Sequence, residues 1–335
     1  MTNAAEPLGR DDDELAAVAA RYAEAITPTM AALIDPDDPD DPIARQFVPD
    51  RRELDRRPDE LDDPIGDGRH APVPGIVHRY PDRVLLMPLT VCPVYCRFCF
   101  RRETVGGPAS ALLDDAALDA ALDYIAGNNA IWEVILSGGD PLILSERRLR
   151  SLLERLRAIP HVRIIRLHTR VPLVAPERVS ADVVETLAAA GPVYLALHAN
   201  HAREFTAAGR AALGRLADRG IALLGQTVLL RGVNDSVEAL GDLMRSFVEN
   251  RVKPYYLHQL DKAPGTAHFR VPIEEGRALV GALRGTLSGL CQPTYVLDIP
   301  GGWGKSPLGP AFVETGEDGT RIRDFRGRQH PLDER

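Results

Sequence analysis

The sequence predicts an α/β protein: a partial (β/α)6-type barrel of parallel strands with an N-terminal helical and linker extension and a C-terminal hairpin. Three observations lead there. From residue 83 onward, apolar strand-like runs alternate with amphipathic helical patterns, the arrangement that yields a parallel sheet joined by crossover helices. The unusual polar clusters fall where those apolar runs stop, and in βα barrels the C-terminal strand ends converge on one mouth. The 335 residues are 44% hydrophobic, ample for a large core.

Taken in order, residues 12–27 (DDELAAVAARYAEAIT) begin with Asp and repeat apolar residues at helical spacing, which predicts an amphipathic helix. Residues 35–64 are rich in Asp and Pro, which favour turns and remove backbone donors. They lack the glycine and terminal bidentate glutamate of a calcium loop, so a solvated linker wrapping the domain is expected. Strands are expected at 83–90, 130–138, 162–169, 193–199, 222–230, 252–260 and 294–300, with helices near 114–127, 145–156, 180–190, 206–219, 236–250 and 273–290. The clearest helix starts at Ser145, an N-cap, shows one apolar face through Leu149, Leu152, Leu153 and Leu156, and ends by Pro160. The last stretch, 312–325, reads as a hairpin around Glu317-Asp318-Gly319. Three units follow: 1–75 as helix and wrapping segment, 76–305 as the barrel with its sites, and 306–335 as hairpin and tail.

The polar clusters carry the chemistry. Cys92-Pro-Val-Tyr-Cys96-Arg-Phe-Cys99 follows the first strand and holds three of the four cysteines. Three thiolates on one tight loop can hold three irons of a cubane cluster and leave the fourth iron open. A zinc knuckle or three unrelated core cysteines compete with this reading, although structural zinc wants four ligands and no fourth Cys or His lies nearby. Ser137-Gly138-Gly139-Asp140 ends the second strand, and its glycines allow backbone to approach a ligand closely. His168-Thr169-Arg170, His198-Ala-Asn-His201, Gln226 within the fifth strand, His258-Gln-Leu-Asp261 and Asp298 to Lys305 complete the set. Forty Lys and Arg against 48 Asp and Glu give a net charge of −8, which argues against a nucleic-acid partner. No apolar run approaches the ~18 residues of a membrane span, and neither a signal peptide nor a disulfide framework is evident, so a cytoplasmic, reducing location is expected.

The spacing Cys-x3-Cys-x2-Cys with an aromatic before the last Cys resembles the signature of the radical S-adenosylmethionine (SAM) superfamily. The succession RYPDRVL, the cysteine loop, SGGDPL, GQTVLLRGVND, LDKAPGTAHFR and DIPGGWGKSPL is similar, over about residues 40–325, to lysine 2,3-aminomutases. That resemblance implies a [4Fe-4S] cluster on Cys92, Cys96 and Cys99, and SAM bound by Ser137, Gly138, Gly139, Asp140 and Gln226. It implies pyridoxal 5′-phosphate (PLP) as an aldimine on Lys305, with its phosphate held by Arg79, Tyr80 and Arg83. Arg101 is then expected at the substrate carboxylate, and Asp261 and Asp298 at the distal ammonium of lysine. The implied reaction interconverts L-lysine and β-lysine by hydrogen abstraction with a 5′-deoxyadenosyl radical and 1,2-amino migration. A reductant such as flavodoxin or ferredoxin would deliver the electron, and a homo-oligomer is compatible.

Three departures from the resemblance stand out. The chain stops near its hairpin with only Cys291 to spare, so no structural zinc is expected. His258 stands where a tyrosine is usual, and Trp303 where the turn is commonly all glycine. The nearest alternative is an aminomutase supplying β-lysine for modification of elongation factor P; from another class, the chain could be a non-catalytic cluster- or zinc-binding protein.

Overall fold

The computed structural model describes residues 10–107, 112–316, 319–324 and 326–332. Their organising element is a nine-stranded sheet in strictly sequential order, β1 (Ile76–Tyr80), β2 (Arg83–Leu89), β3 (Glu133–Gly138), β4 (Ile164–Thr169), β5 (Val193–His198), β6 (Ala222–Leu229), β7 (Lys253–Gln259), β8 (Thr294–Asp298) and β9 (Lys305–Pro307). Strands β2 to β8 are parallel, whereas β1 and β9 run antiparallel at the two edges. The seven expected strands are therefore β2 to β8, and the sequence reading missed both outer strands. Strand β1 turns into β2 through Pro81-Asp82, and β9 is a three-residue return from the glycine turn.

Local sequence accounts for the crossover helices. Asp114, Ser145, Ser180, Thr206 and Ser236 each accept a backbone N–H of the first turn, which defines the starts of helices Asp115–Ala126, Glu146–Arg157, Ala181–Ala189, Ala207–Asp218 and Val237–Glu249. A sixth, Ile273–Thr286, opens directly after Pro272 with two acidic residues in its first turn. One apolar core joins strand residues such as Val84, Leu136, Ile165 and Leu195 to helix residues such as Leu149, Leu152, Leu213 and Leu243. Alternate strand residues point the other way, into the barrel: Glu133, Ile135 and Ser137 from β3, Ile164, Arg166 and His168 from β4, and Tyr194, Ala196 and His198 from β5 line the cavity.

The barrel is partial. Among the described residues no ladder joins β1 to β9; instead the Tyr80 hydroxyl accepts the Lys305 backbone N–H at 2.8 Å across the gap.

The N-terminal helix covers Arg10–Arg21, shorter at its C-terminal end than expected, and Thr27 then caps a separate short helix, Pro28–Ala31. The Asp- and Pro-rich segment, expected as a solvated linker, differs from that expectation in having polar side chains withdrawn from water. Asp41, Gln46, Glu53 and Glu60 are buried. Asp41 accepts the N–H groups of Ile43 and Ala44, each at 2.8 Å, and Arg203 Nη1 at 2.7 Å. Glu60 accepts Gly265 N at 2.9 Å and Arg270 Nη2 at 3.1 Å. A buried acid without such donors would cost several kcal/mol, on the order of the full desolvation penalty of a charge, so these partners explain why the segment has one path.

At the C-terminus the expected hairpin is part of a three-stranded antiparallel sheet, β10 (Val313–Gly316), β11 (Gly319–Arg323) and β12 (Gln329–Leu332). Glu317 and Asp318 of its turn lie outside the described residues. Among the described residues no helix is long and apolar enough to cross a membrane.

Candidate active site

Every residue to which the sequence reading assigned a ligand role lines one cavity of about 770 Å³ within the barrel. His258 lines it too, whereas Trp303 does not and is 76% exposed.

At one end lie the three thiols. Cys92, Cys96 and Cys99 face this cavity and a small adjoining one behind their loop. The loop is clamped from the wrapping segment: Glu53, 1% exposed, accepts Arg97 Nε at 2.9 Å and Nη2 at 2.6 Å and pairs with Arg102 Nη2. Arg97 N also donates to Gln46 O at 2.9 Å. Burial pushes the Cys99 thiol up to about 11 and raises Cys92 well above its usual range, so cationic metal is what would favour their thiolate forms. Among the described residues no three His, Cys, Asp or Glu side chains are gathered to hold a metal ion. Three thiols spread around one loop, with no fourth Cys or His beside them among the described residues, are a donor set that fits an iron–sulfur cluster with one open iron.

Beside the thiols, Gly139 N donates to Leu89 O at 2.8 Å and Asp140 N to Val91 O at 3.0 Å. A Cβ on Gly138, whose φ is +97°, would lie 2.7 Å from Leu89 O, and one on Gly139 would lie 2.2 Å from Val91 O. The glycines are thus needed by the chain itself, to seat the end of β3 against the root of the cysteine loop. The Asp140 carboxylate is spent in the same way. It accepts the Thr169 hydroxyl at 2.7 Å, Arg170 N at 2.7 Å and Leu142 N at 3.1 Å. Its carboxylate thus ties the loop to β4, while Asp140 lines the cavity together with the Ser137–Gly139 segment and Gln226.

The other end is built on Lys305. Its ammonium sits 2.7 Å from both carboxylate oxygens of Asp298. His258 Nδ1 lies 3.5 Å and Arg79 Nη1 3.8 Å from the same carboxylate. Burial works to raise the Asp298 pKa, but the His258 contact and the Lys305 charge outweigh it and hold the carboxyl far below its usual range. Burial also lowers the His258 pKa, with the Lys305 charge, against the opposing pull of Asp298, which favours the neutral imidazole. Asp298, read as half of an ammonium site, is already occupied by the chain's own ammonium. Asp261 differs: burial, and then the Asp298 charge, push its carboxyl up to about 8, against the opposing pull of Lys305 and Arg101.

The Lys305 turn is built for close backbone approach. Gly301, Gly302 and Gly304 all have positive φ (+87°, +85° and +97°), and Gly66 packs so closely that a Cβ would lie 2.7 Å from Gly301 C. Arg69 Nη1 donates to Gly301 O at 2.8 Å, and His70 Nε2 lies 3.1 Å from Gly302 O. Tyr80 meets the turn, and its ring carries the Arg83 guanidinium 3.7 Å from the centroid.

Several residues escaped the sequence reading. Asp67 lines the cavity and pairs with Arg101 (2.7 Å) and Arg79 (3.2 Å), so it links the expected carboxylate and phosphate contacts. Its only local signal is its place between Gly66 and Gly68. The Arg170 guanidinium, read only as part of a polar cluster, donates to Cys96 Sγ at 2.9 Å. Glu133, Arg166, Tyr194, Tyr255 and Tyr256 extend the polar lining to the N-terminal strand ends. There Arg166 Nε meets Glu133 Oε1 at 3.0 Å, and the two tyrosine hydroxyls lie 3.0 Å apart.

Comparison with known proteins agrees with this architecture. Residues 86–244 match the radical SAM superfamily. The chain is 42% identical to an L-lysine 2,3-aminomutase of Clostridium subterminale over 96% of its own length and 77% of the relative's. It is 43% identical to an L-lysine 2,3-aminomutase of Acetoanaerobium sticklandii, with 90% and 73% covered. A glutamate 2,3-aminomutase of Clostridioides difficile is 35% identical, with 95% and 75% covered. Superfamily membership implies SAM and a [4Fe-4S] cluster, which the thiol end of the cavity fits. From identity sustained over nearly the whole chain, it follows that this protein is an isomerase of the lysine 2,3-aminomutase family within the radical SAM superfamily.

Proposed function

We propose that the chain catalyses the PLP-dependent 2,3-aminomutation of L-lysine to β-lysine. The observation that carries this reading is the paired acids at one end of the cavity: Asp298 already chelates an alkylammonium, that of Lys305, and Asp261 stands beside it with a strongly raised pKa. Two acids coupled closely enough that the charge of one raises the pKa of the other favour a cation between them, and a substrate carboxylate there would be repelled. This favours lysine over the glutamate named for one relative.

When bound, the cluster and SAM supply the hydrogen-abstracting oxidant and PLP the carbonyl that carries the migrating nitrogen. The chain's own residues do the rest. Cys92, Cys96 and Cys99 would hold three irons; Ser137, Gly138, Gly139, Asp140 and Gln226 would face SAM. Lys305 would hold PLP through its amine, and Asp298, no longer paired with that ammonium, would be free for the substrate's. Arg79, Tyr80 and Arg83 would hold the phosphate, for which guanidinium forks are suited. Arg101 would leave Asp67 to bind the substrate carboxylate, and the barrel wall would exclude water from the reacting atoms. Lysine, free SAM and a low-potential electron carrier such as a flavodoxin or ferredoxin are the partners this requires.

The test is anaerobic incubation of the reconstituted protein with SAM, PLP, reductant and either lysine or glutamate, with chiral separation of the products. β-Lysine from the parent and none above background from Lys305→Ala are expected. β-Glutamate as the main product, or full activity in Lys305→Ala, would overturn the reading.

A further inference from the structure

The wrapping segment reaches the cysteine loop by a second route, through a buried arginine. Arg170, at the end of β4, is 6% exposed. Its Nη2 donates to Glu204 Oε2 at 2.6 Å and Gln46 Oε1 at 3.0 Å, which leaves Nη1 aimed at Cys96 Sγ, 2.9 Å away. Gln46 in turn donates to Glu204 Oε1 at 3.2 Å. The guanidinium lies over the Phe47 ring, 4.8 Å from its centroid, and the Arg170 backbone N–H is held by Asp140. The group is thus pinned by a carboxylate, an amide and a ring, and has one direction left in which to act.

A buried cation that donates a hydrogen bond to a ligand sulfur stabilises the electron-rich state of that sulfur more than the electron-poor one. Hydrogen bonds to sulfur and net local charge are among the main protein levers on the potential of an iron–sulfur cluster. We propose that Arg170 is a positioning residue that raises the reduction potential of the cluster through Cys96, and that Gln46 and Glu204 aim it. The inference rests on the cluster assignment above. It gives the wrapping segment a part in tuning electron uptake as well as in holding the loop.

The test uses the full chain with reconstituted cluster, as parent, Arg170→Gln and Arg170→Lys. Iron and sulfide are quantified, and the midpoint potential is read by anaerobic titration followed by electron paramagnetic resonance. If the parent takes up no cluster, the assignment of the thiols fails and this inference with it. If the parent does, the expected result is near-parental iron in Arg170→Lys and a potential shifted to more negative values. The shift is larger in Arg170→Gln, which lacks the charge, than in Arg170→Lys, which keeps it. Equal potentials in all three would overturn the proposal while leaving the cluster assignment intact. Loss of the cluster from both variants would also overturn it, because Arg170 would then build the loop rather than tune it.

Discussion

The two ends of the cavity are built in opposite ways. The cysteine loop is held by charges withdrawn from water, Glu53 between Arg97 and Arg102, with the Arg170 network behind it. The Lys305 turn is held by backbone carbonyls that accept from Arg69 and His70, by glycines in left-handed conformation, and by an ammonium that can exchange partners. A buried ion triad has essentially one low-energy arrangement, because each broken pair leaves a charge uncompensated. The glycine turn is fixed by hydrogen bonds to its backbone and by close packing, while the Lys305 side chain that follows it keeps 31% of its surface exposed. The contrast matches what each end has to do in the proposed reaction: the thiols must keep still while electrons pass, and Lys305 must trade Asp298 for another partner.

Breaking the rigid end should have the largest effect. Glu53→Ala strands two arginines in the interior and is expected to cost about 3–5 kcal/mol of stability, read by denaturant unfolding, together with loss of iron after reconstitution. A stable, fully loaded variant would mean that the clamp is not what holds the loop.

The adaptable end should respond to pH. With its carboxyl pushed up to about 8, Asp261 is largely protonated at pH 7 in the free protein. An ammonium brought beside it favours the ionised form, so lysine binding should release a proton at pH 7 and little at pH 9. Calorimetry of lysine binding to the cofactor-loaded protein in buffers of different ionisation enthalpy measures that proton directly. Asp261→Asn should abolish the release and weaken binding by about 1–3 kcal/mol. The same raised pKa makes the native state bind more protons than the unfolded one between about pH 4 and 8, so this group's contribution to stability falls as pH rises through that window. Asp261→Asn should flatten that slope, and an unchanged slope would place the titrating group elsewhere.

The smallest effect belongs to Trp303. Its ring is exposed and only the turn's backbone packs inward, so Trp303→Ala should change stability by no more than about 0.5 kcal/mol. A larger loss would show that the turn is as tightly determined as the cysteine loop.

Much of this was legible in the sequence, for physical reasons that differ by residue. The parallel strands and capped helices announce themselves locally, because Ser145, Ser180 and Ser236 act within three residues of where they stand. The thiols are legible for the same reason, being close in the chain. Glu53 is legible only in part: with Asp50 it forms a capping box, but the arginines that clamp it lie 44 and 49 residues away. Asp67 and Arg170 were obscure on the same ground. The scaffold bonds of Asp140 were equally hidden, because Thr169 and Arg170 lie 29 and 30 residues away. Strands β1 and β9 were missed because the first reads as a basic motif and the second is three residues long.

Among the described residues no ladder joins β1 to β9, which gives the barrel wall a lengthwise seam, crossed by side-chain bonds from Tyr80, Arg69 and His70 to the Lys305 turn. A wall sewn shut by a sheet could widen only by tearing a row of bonds in concert. A seam held by separate side chains yields one bond at a time, each at a net cost of about 1 kcal/mol, so it is where the girth of the vessel can adjust while the seven parallel strands keep their register.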